Sequence, residues 1–316
     1  MAISFGGVLY NWNSATIIAL FVLSGVLFVL LGLQQSFSIL TTLARRVFPV
    51  HYVLNKEMTI LFAQIAAAST NSFITIYFIP LYFQFVQSDQ ALRSGVRLLP
   101  YIIPLVVGTM LNGALMEKLK YYLPWFLVGG TLIIISNAML FHVSLTISTA
   151  YIYAALALGG LGTGFFVNAP YAIAQWLVPA EEIALAVGFI TCAQVAGVTI
   201  SLSIGNAVFL NLAQNSITAL LPGVPKADVQ AAITGVGGKF VQTLDQETQL
   251  KILEAIVNAL RKTFILGITA GVVAVALALA MSRAPIELGG PEKAAEVIEE
   301  ADRKEAEREK VDDHSS

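Results

Sequence analysis

Residues 121–180 read YYLPWFLVGGTLIIISNAMLFHVSLTISTAYIYAALALGGLGTGFFVNAPYAIAQWLVPA and contain no Asp, Glu, Lys or Arg. As one α-helix this stretch would be about 90 Å long, about three times the hydrocarbon thickness of a bilayer. It therefore predicts two membrane-spanning helices, and the polar residues 142–149 are the predicted turn between them. This pair of spans sets the pattern for the rest of the chain.

The whole chain has the composition of a membrane protein. Of its 316 residues, 57% are hydrophobic and 12% are charged, whereas soluble domains have about 45–50% and about 25%. The mean hydropathy is +0.76. The 18 basic and 20 acidic residues are confined to short blocks, and the formal net charge of -2 gives no basic field for nucleic acid. The single cysteine, Cys192, has no partner in the chain for an internal disulfide.

Seven intervals between the charged blocks are long enough to cross a bilayer. They are span A, 15–33; B, 58–85; C, 98–116; D, 122–143; E, 150–177; F, 183–212; and G, 264–281. Residues 1–10 are a short apolar stub. The interval 213–262 predicts one or two amphipathic helices at the membrane surface, with Ile252, Ile256 and Leu260 on one face. The charged residues 283–316 predict a solvated helix or a disordered tail.

Basic residues in the short loops predict the orientation. Six lie in loop A–B, loop C–D and just after span G, namely Arg45, Arg46, Lys56, Lys118, Lys120 and Arg283. Two, Arg93 and Arg97, lie in loop B–C on the other side. The positive-inside rule therefore places loops A–B and C–D and the C-terminal tail in the cytoplasm.

Four of the spans carry polar residues along one helix face, where a lipid-facing helix would have none. The stripe on B comprises Gln64, Asn71, Thr75 and Tyr82; E carries Asn168, Tyr171 and Gln175; C carries Tyr101 and Asn112; and F carries Gln194. Together they favour a shared central cavity. The alternative for any single residue is a hydrogen bond to a neighbouring helix, and the glycines beside these residues are interpreted as helix-packing positions. Spans D and G have weak stripes, so we expect them at the periphery.

Enzymatic classes lack their chemical groups in this sequence. No Asp, Glu, Lys or Arg lies within a span, and there is no HExxH or GxSxG sequence. We expect no catalytic residue, no metal and no cofactor. Residues 159–164, GGLGTG, lack both the spacing and the preceding strand of a nucleotide site. His142 is interpreted as a loop residue and Cys192 as a packing residue.

Several blocks resemble one family of transporters. Residues 6–20, GGVLYNWNSATIIAL, 79–84, IPLYFQ, and 91–100, ALRSGVRLLP, resemble the second half of fungal major facilitator multidrug efflux pumps with fourteen helices. Residues 113–118, GALMEK, are similar to the cytoplasmic-loop motif of that superfamily, although Lys120 stands where the motif has glycine. The glycines of span E and Gln194 with Gly197 extend the resemblance to about residue 212.

The resemblance implies an all-α membrane protein comprising a C-terminal six-helix bundle and one linking helix. Residues 1–33 would hold the end of one linking helix and a second complete transmembrane helix, and 34–57 a cytoplasmic loop. Residues 58–212 would form five helices of the bundle, 213–262 an amphipathic extracytoplasmic loop, 263–282 the last helix and 283–316 a charged cytoplasmic tail.

The resemblance also implies a function. The chain would export small organic molecules by alternating access, in the plasma membrane, together with a missing N-terminal bundle or a second chain. It would be a half-transporter or a truncated fragment; the alternative is a non-transporting membrane protein that partners or regulates another transporter. The expected substrate-cavity residues are Gln64, Asn71, Thr75, Tyr82, Asn168, Gln175 and Gln194. Gly113 and Lys118 would act at the cytoplasmic gate.

Overall fold

A computed structural model describes residues 12–37, 49–119, 121–224 and 244–281, and the single positions 6, 229 and 233. The predictions for most of the stub 1–10, the middle of loop 34–57, most of residues 225–243 and the tail 283–316 lie outside the described residues. So do Arg45, Arg46, Lys120 and Arg283, on which the orientation partly depends.

The described elements are helices. In chain order they are α1 (Ala15–Phe37), α2 (Val50–Leu54), α3 (Lys56–Gln87), α4 (Ala91–Val96), α5 (Leu99–Leu119), α6 (Leu123–Phe141), α7 (Thr149–Gly164), α8 (Ala169–Trp176), a 3-10 turn (Ala180–Glu182), α9 (Ile183–Leu220), α10 (Gln246–Thr263) and α11 (Ile265–Ala280). Seven stretches among them are long and apolar enough to cross a membrane. The prediction of an all-α membrane protein with seven spans is confirmed.

The interior of the bundle is built around α3, the helix of span B. In the most apolar 18-residue stretch of α3, 61% of the residues are buried. The corresponding share for α1, which stands beside the bundle, is 6%. α3 packs against α9 and α11, while α7 packs against α5 and α6. Two apolar clusters fill the bundle, one around Phe78 and Tyr82 and the other around Leu61 and Phe126.

The helices of spans D and G are well buried within this bundle, and their expected position at the periphery of a shared cavity stays a prediction. α6 and α11 pack on each other, and their apolar windows are 44% and 39% buried, against 22% for span C and 28% for span F. Small residues explain the difference: a Cβ placed on Gly130 would lie 2.8 Å from Cγ2 of Val275 and 3.3 Å from the carbonyl of Gly271. Helices joined through such close contacts need no polar stripe.

The region between spans F and G is more helical than expected. α9 continues to Leu220, beyond the predicted end at residue 212. α10 begins at Gln246 and is capped by Asp245, whose side chain accepts a hydrogen bond from the amide of Thr248 at 3.0 Å. Hydrogen bonding from the Thr248 side chain, followed by this bond from its backbone amide, holds the pKa of the Asp245 carboxyl below its usual range. The apolar face around Ile256 is buried against the bundle, chiefly α9, and the position of this helix at the membrane surface stays a prediction.

Span E is a broken helix. α7 ends at Gly164 and α8 begins at Ala169, with a four-residue turn between them. Pro170 lies in the first turn of α8, where it has no backbone N–H to continue the ladder of the preceding helix. Phe166 of the turn is fully buried against Phe126, with ring centroids 5.3 Å apart. This packing anchors the turn to α6.

Candidate functional site

Polar side chains from four helices meet in the middle of the bundle. Asn71 of α3 donates to the hydroxyl of Thr163 on α7 at 2.8 Å and accepts from Nδ2 of Asn137 on α6 at 2.6 Å. The Tyr101 hydroxyl of α5 lies 3.3 Å from that of Thr163 and 3.1 Å from that of Ser72. All five side chains are buried. We call this set the buried network.

Glycines permit the close helix contacts around the buried network. A Cβ on Gly160 would collide with the backbone carbonyl of Tyr101, and one on Gly108 would lie 2.9 Å from the carbonyl of Leu161. A Cβ on Gly197 would lie 2.7 Å from the carbonyl of Ala66. The interpretation of these glycines as packing positions is therefore confirmed.

The other polar residues of the α3 stripe also point into the bundle. Gln64 donates to the carbonyl of Ala274 on α11 at 2.8 Å, and the Tyr82 hydroxyl donates to the carbonyl of Ser144 at 2.9 Å. Thr75 is 2% exposed.

Four of the expected cavity residues thus have no open surface in this structure: Gln64, Asn71, Thr75 and Tyr82 are at most 2% exposed. Three of them bond helices or loops of the same bundle, which is the alternative stated above for such residues. Their contacts favour the helix-packing alternative, and their place in a substrate cavity stays a prediction.

The remaining three expected residues lie on an open surface formed by α8 and α9. Gln194 of α9 accepts a hydrogen bond from the Tyr171 hydroxyl of α8 at 2.8 Å. Gln175 is exposed and donates to the carbonyl of Tyr171 at 3.1 Å. Asn168 is exposed at the break between α7 and α8, and the hydroxyl of exposed Thr191 lies 3.5 Å from that of Tyr171. We call these five residues the open amide cluster.

Thr191 was missed by the sequence reasoning, because a lone threonine one turn before Gln194 has no distinguishing signal. Its hydroxyl also bonds the carbonyl of Val187 at 2.8 Å, as any helical threonine can. Only the packing of α8 on α9 brings it beside Tyr171. The open amide cluster therefore offers amide and hydroxyl groups and an aromatic ring, and its five members carry no charge.

The two expected gate residues lie in the C-terminal half of α5, at the end that the orientation prediction places in the cytoplasm. Gly113 and Lys118 are exposed, and a Cβ on Gly113 would meet nothing within 4 Å. Lys118 forms no ion pair with a described residue.

A contact near the same end was not predicted. The Tyr52 hydroxyl of α2 donates to Oε2 of Glu182 at 2.7 Å, and Nε2 of His51 lies 3.6 Å from the same oxygen. Burial of Tyr52, followed by the bond to Glu182 and its charge, raises the pKa of this phenol. The contact ties the loop before span B to the turn before span F. It joins residues 130 positions apart, which no local pattern reveals.

Charged residues form a second compact group at the opposite end of the bundle. The Asp89 side chain is 2% exposed and pairs with Arg97 and, at 3.2 Å, with Arg93. Arg97 also donates to the Tyr153 hydroxyl at 3.1 Å and lies 4.5 Å from the ring centroid of Phe83. These contacts join the loop between spans B and C to span E. Two guanidinium groups compensate the charge of the buried carboxylate, and loss of either partner would leave that charge less well compensated.

Known proteins are similar to this chain over most of its length. It is 44% identical to the phomenoic acid biosynthesis cluster MFS-type transporter of Leptosphaeria maculans, covering 90% of this chain and 48% of the relative. It is 44% identical to the MFS-type transporter pgmG of Aspergillus terreus, with 90% and 50% covered. It is 38% identical to the efflux pump alnA of Emericella nidulans, with 89% and 51% covered.

The chain thus spans about half the length of the curated relatives it matches. No protein-family model matches it. Its seven apolar helices make it a multi-pass integral membrane protein. From the identity to these relatives, the chain belongs to the major facilitator superfamily, with the fungal MFS-type transporters and efflux pumps.

Proposed function

We propose that this chain is the C-terminal half of a transporter that exports small organic molecules by alternating access. The observation that carries the proposal is the open amide cluster, an uncharged polar surface on two membrane-spanning helices beside the break in span E. Irregular backbone at membrane depth is tolerated where it lines a cavity or is buried in protein. The relatives support the direction of transport, since several are named efflux pumps.

In this proposal, the substrate contacts Gln194, Tyr171, Gln175 and Asn168. Amide and hydroxyl groups orient a ligand, and the aromatic ring supplies contact area. The cluster carries no charge, so it suits uncharged or weakly polar organic molecules. The proposal assigns no catalytic step to any residue.

Transport also requires a second bundle, because alternating access needs two bundles that rock about a common site. The relatives are about twice as long as the aligned part of this chain. We propose that a partner bundle faces the open amide cluster, and that Gly113 and Lys118 meet it at the cytoplasmic gate. Their exposure leaves both residues accessible to such a partner. The plasma membrane is the proposed location.

The test is transport of Nile red into inverted membrane vesicles. This chain is expressed alone and together with the half of the Aspergillus terreus relative that it does not match. We expect transport only in the second case. Tyr171→Phe and Gln194→Ala each remove a group that hydrogen-bonds the substrate in this proposal. Such a bond contributes about 0.5–1.5 kcal/mol, so KM should rise about 2- to 10-fold.

Thr199→Val is the matched control for these two variants. Thr199 is exposed on the same helix as Gln194, and its hydroxyl bonds only the carbonyl of Val195, at 2.8 Å. Its substitution should leave KM unchanged. Unchanged KM in Tyr171→Phe and Gln194→Ala would remove the open amide cluster from the substrate path. Absence of transport in the combined system would contradict the proposed function itself.

A further inference from the structure

An elongated groove runs along the outer side of the bundle between three helices. It is lined by residues 62–70 of α3, 193–204 of α9 and 266–273 of α11, and its volume is about 450 Å³. This volume falls in the range of ligand pockets, about 300–1,000 Å³. The open amide cluster contributes no residue to this lining.

Small residues create the groove. Gly197 lies against the backbone of Ala66, and a Cβ on the glycine would be 2.7 Å from the Ala66 carbonyl oxygen. Since α3 and α9 already touch there, the two helices come no closer. Ala63 and Ala196 on either side have side chains too short to fill the space above this contact. The volume is therefore fixed by the helix packing.

The lining offers almost no polar group to an occupant. It contains no charged residue. The hydroxyl of Ser201 donates to the carbonyl of Val198 at 3.1 Å, and that of Thr269 to the carbonyl of Leu266 at 2.9 Å. Both hydroxyls are thus used within their own helices, which leaves the hydroxyl of Thr70 as the third polar side-chain group of the lining. Water in the groove would find too few partners, so the occupant is apolar.

The shape and position of the groove identify the apolar occupant. The groove follows eight residue steps of α3 and eleven of α9, which correspond to about 12 and 16 Å along the helix axes. One leaflet of the hydrocarbon core is about 15 Å thick, half of about 30 Å. The groove therefore runs parallel to lipid chains and has the length of one leaflet.

The groove is also continuous with an exposed apolar surface of the membrane-spanning helices. Its edge is formed by Ile200 and Val273, which are 55% and 45% exposed, and the neighbouring Val195 and Val272 are exposed as well. All three lining helices are membrane-spanning. The hydrocarbon that surrounds the protein thus has direct access to the groove.

We propose that this groove binds one acyl chain of a membrane phospholipid, held lengthwise between α3, α9 and α11. The bound chain fills space that the small residues leave empty and restores dispersion contacts to their side chains. This site is independent of the transport function proposed above. It requires only that the chain is folded in a bilayer.

Photolabelling tests the proposal. The full chain is reconstituted in phosphatidylcholine vesicles with a trace of phosphatidylcholine whose acyl chain carries a diazirine. After illumination, labelled peptides are mapped by mass spectrometry. Labelling per residue in 62–70 and 193–204 should exceed that of the exposed apolar face of α1 at least about threefold, a preference of under 1 kcal/mol. Equal labelling of the two surfaces would overturn the proposal.

Two groove-filling variants and a matched control make the result specific. Ala196→Phe and Ala63→Phe place a ring in the groove from opposite walls and should abolish the enrichment. Val195→Phe adds the same ring next to Ala196 on the outward surface, where Val195 is 59% exposed, and should leave it intact. Helical circular dichroism selects the variants that fold.

Retained enrichment in a folded groove-filling variant would overturn the site. The same holds if Ala196→Cys, in a chain with Cys192→Ala, forms a disulfide-linked dimer in the vesicles. That result would show that a second copy of the protein occupies the groove.

Discussion

Substitution of Asn71 by alanine should destabilise the bundle, because it removes two interhelical bonds and leaves one N–H of buried Asn137 without its acceptor. Asn71 makes two interhelical bonds, at 2.8 Å to Thr163 and 2.6 Å from Asn137. Each partner keeps another bond, since Thr163 donates to the carbonyl of Gly159 at 2.9 Å and Asn137 to that of Ile133 at 2.9 Å. Interhelical bonds in membranes contribute about 0.6 kcal/mol on average and about 1.7 at most. Asn71→Ala should therefore cost about 1–3 kcal/mol, part of it from the space left behind.

A double-mutant cycle separates the hydrogen bond from that lost packing. Asn71→Ala, Asn137→Ala and the double variant are unfolded with SDS in mixed micelles, and the free energies of unfolding are compared. The coupling between the two residues should be about 0.6–1.7 kcal/mol. Ser136→Ala is the control: its hydroxyl bonds the carbonyl of Ala155 at 2.7 Å, also between α6 and α7 but outside the buried network. The losses in the free energy of unfolding caused by Ser136→Ala and Asn71→Ala should therefore be additive, with no coupling between the two residues.

Two results would refute this reasoning. Zero coupling between Asn71 and Asn137 would mean that the buried network contributes no stability. Unchanged stability of Asn71→Ala, together with a weakened affinity for the transported molecule, would return Asn71 to the substrate cavity.

Three further outcomes follow from the packing, the charges and the helix cap. Gly197→Ala should cost about 1–3 kcal/mol in the same unfolding assay, because the new methyl meets the backbone of α3, whereas Gly188→Ala, with nothing within 4 Å, should not destabilise. Arg97→Gln should lower the free energy of unfolding by about 3–5 kcal/mol, because it leaves the buried Asp89 carboxylate without the more buried of its two partners. Adding Asp89→Asn to the same chain should recover part of the lost stability. The cap of α10 should weaken in acid. The pKa of the Asp245 carboxyl is lower in the folded protein than in the unfolded chain. The stabilisation that the ionised carboxylate gives the helix is therefore present above the usual carboxyl pKa and is lost as the pH falls through the pKa of the folded protein. Hydrogen exchange of the first turn, corrected for its intrinsic pH dependence, should then accelerate, and Asp245→Asn should show no such change.

The spans could be predicted from the sequence because bilayer thickness imposes a minimum length on every apolar interval. The glycine positions on spans C, E and F could also be predicted, since a glycine on a polar helix face has few uses besides close packing. The length of the apolar intervals was enough to predict the spans, and the helical spacing of the glycines was enough to predict their packing role.

The role of the α3 stripe could not be predicted in the same way. Periodicity places Gln64, Asn71 and Tyr82 on one face, but it does not reveal what lies opposite that face. The same pattern on α8 and α9 leads to an open surface, whereas on α3 it leads to the bundle interior. The bond between Tyr52 and Glu182 depends on tertiary packing alone. The extent of α10 was obscured by its charged first turns, whose salt bridge between Glu247 and Lys251, at 2.6 Å, lies on the exposed side of the helix.

The length of α9 gives the molecule a part that stands in water. Its 38 residues extend about 57 Å, nearly twice the hydrocarbon thickness. Its last turns pack with α10, and their shared interior includes Ile217 and Ile256. The protein therefore carries a small head on one side of the bundle, whose core is continuous with the apolar cluster around Phe78 and Tyr82. In single-particle images such a head breaks the featureless outline of a detergent micelle, and it provides a rigid epitope for antibody fragments on a protein that is otherwise embedded in lipid.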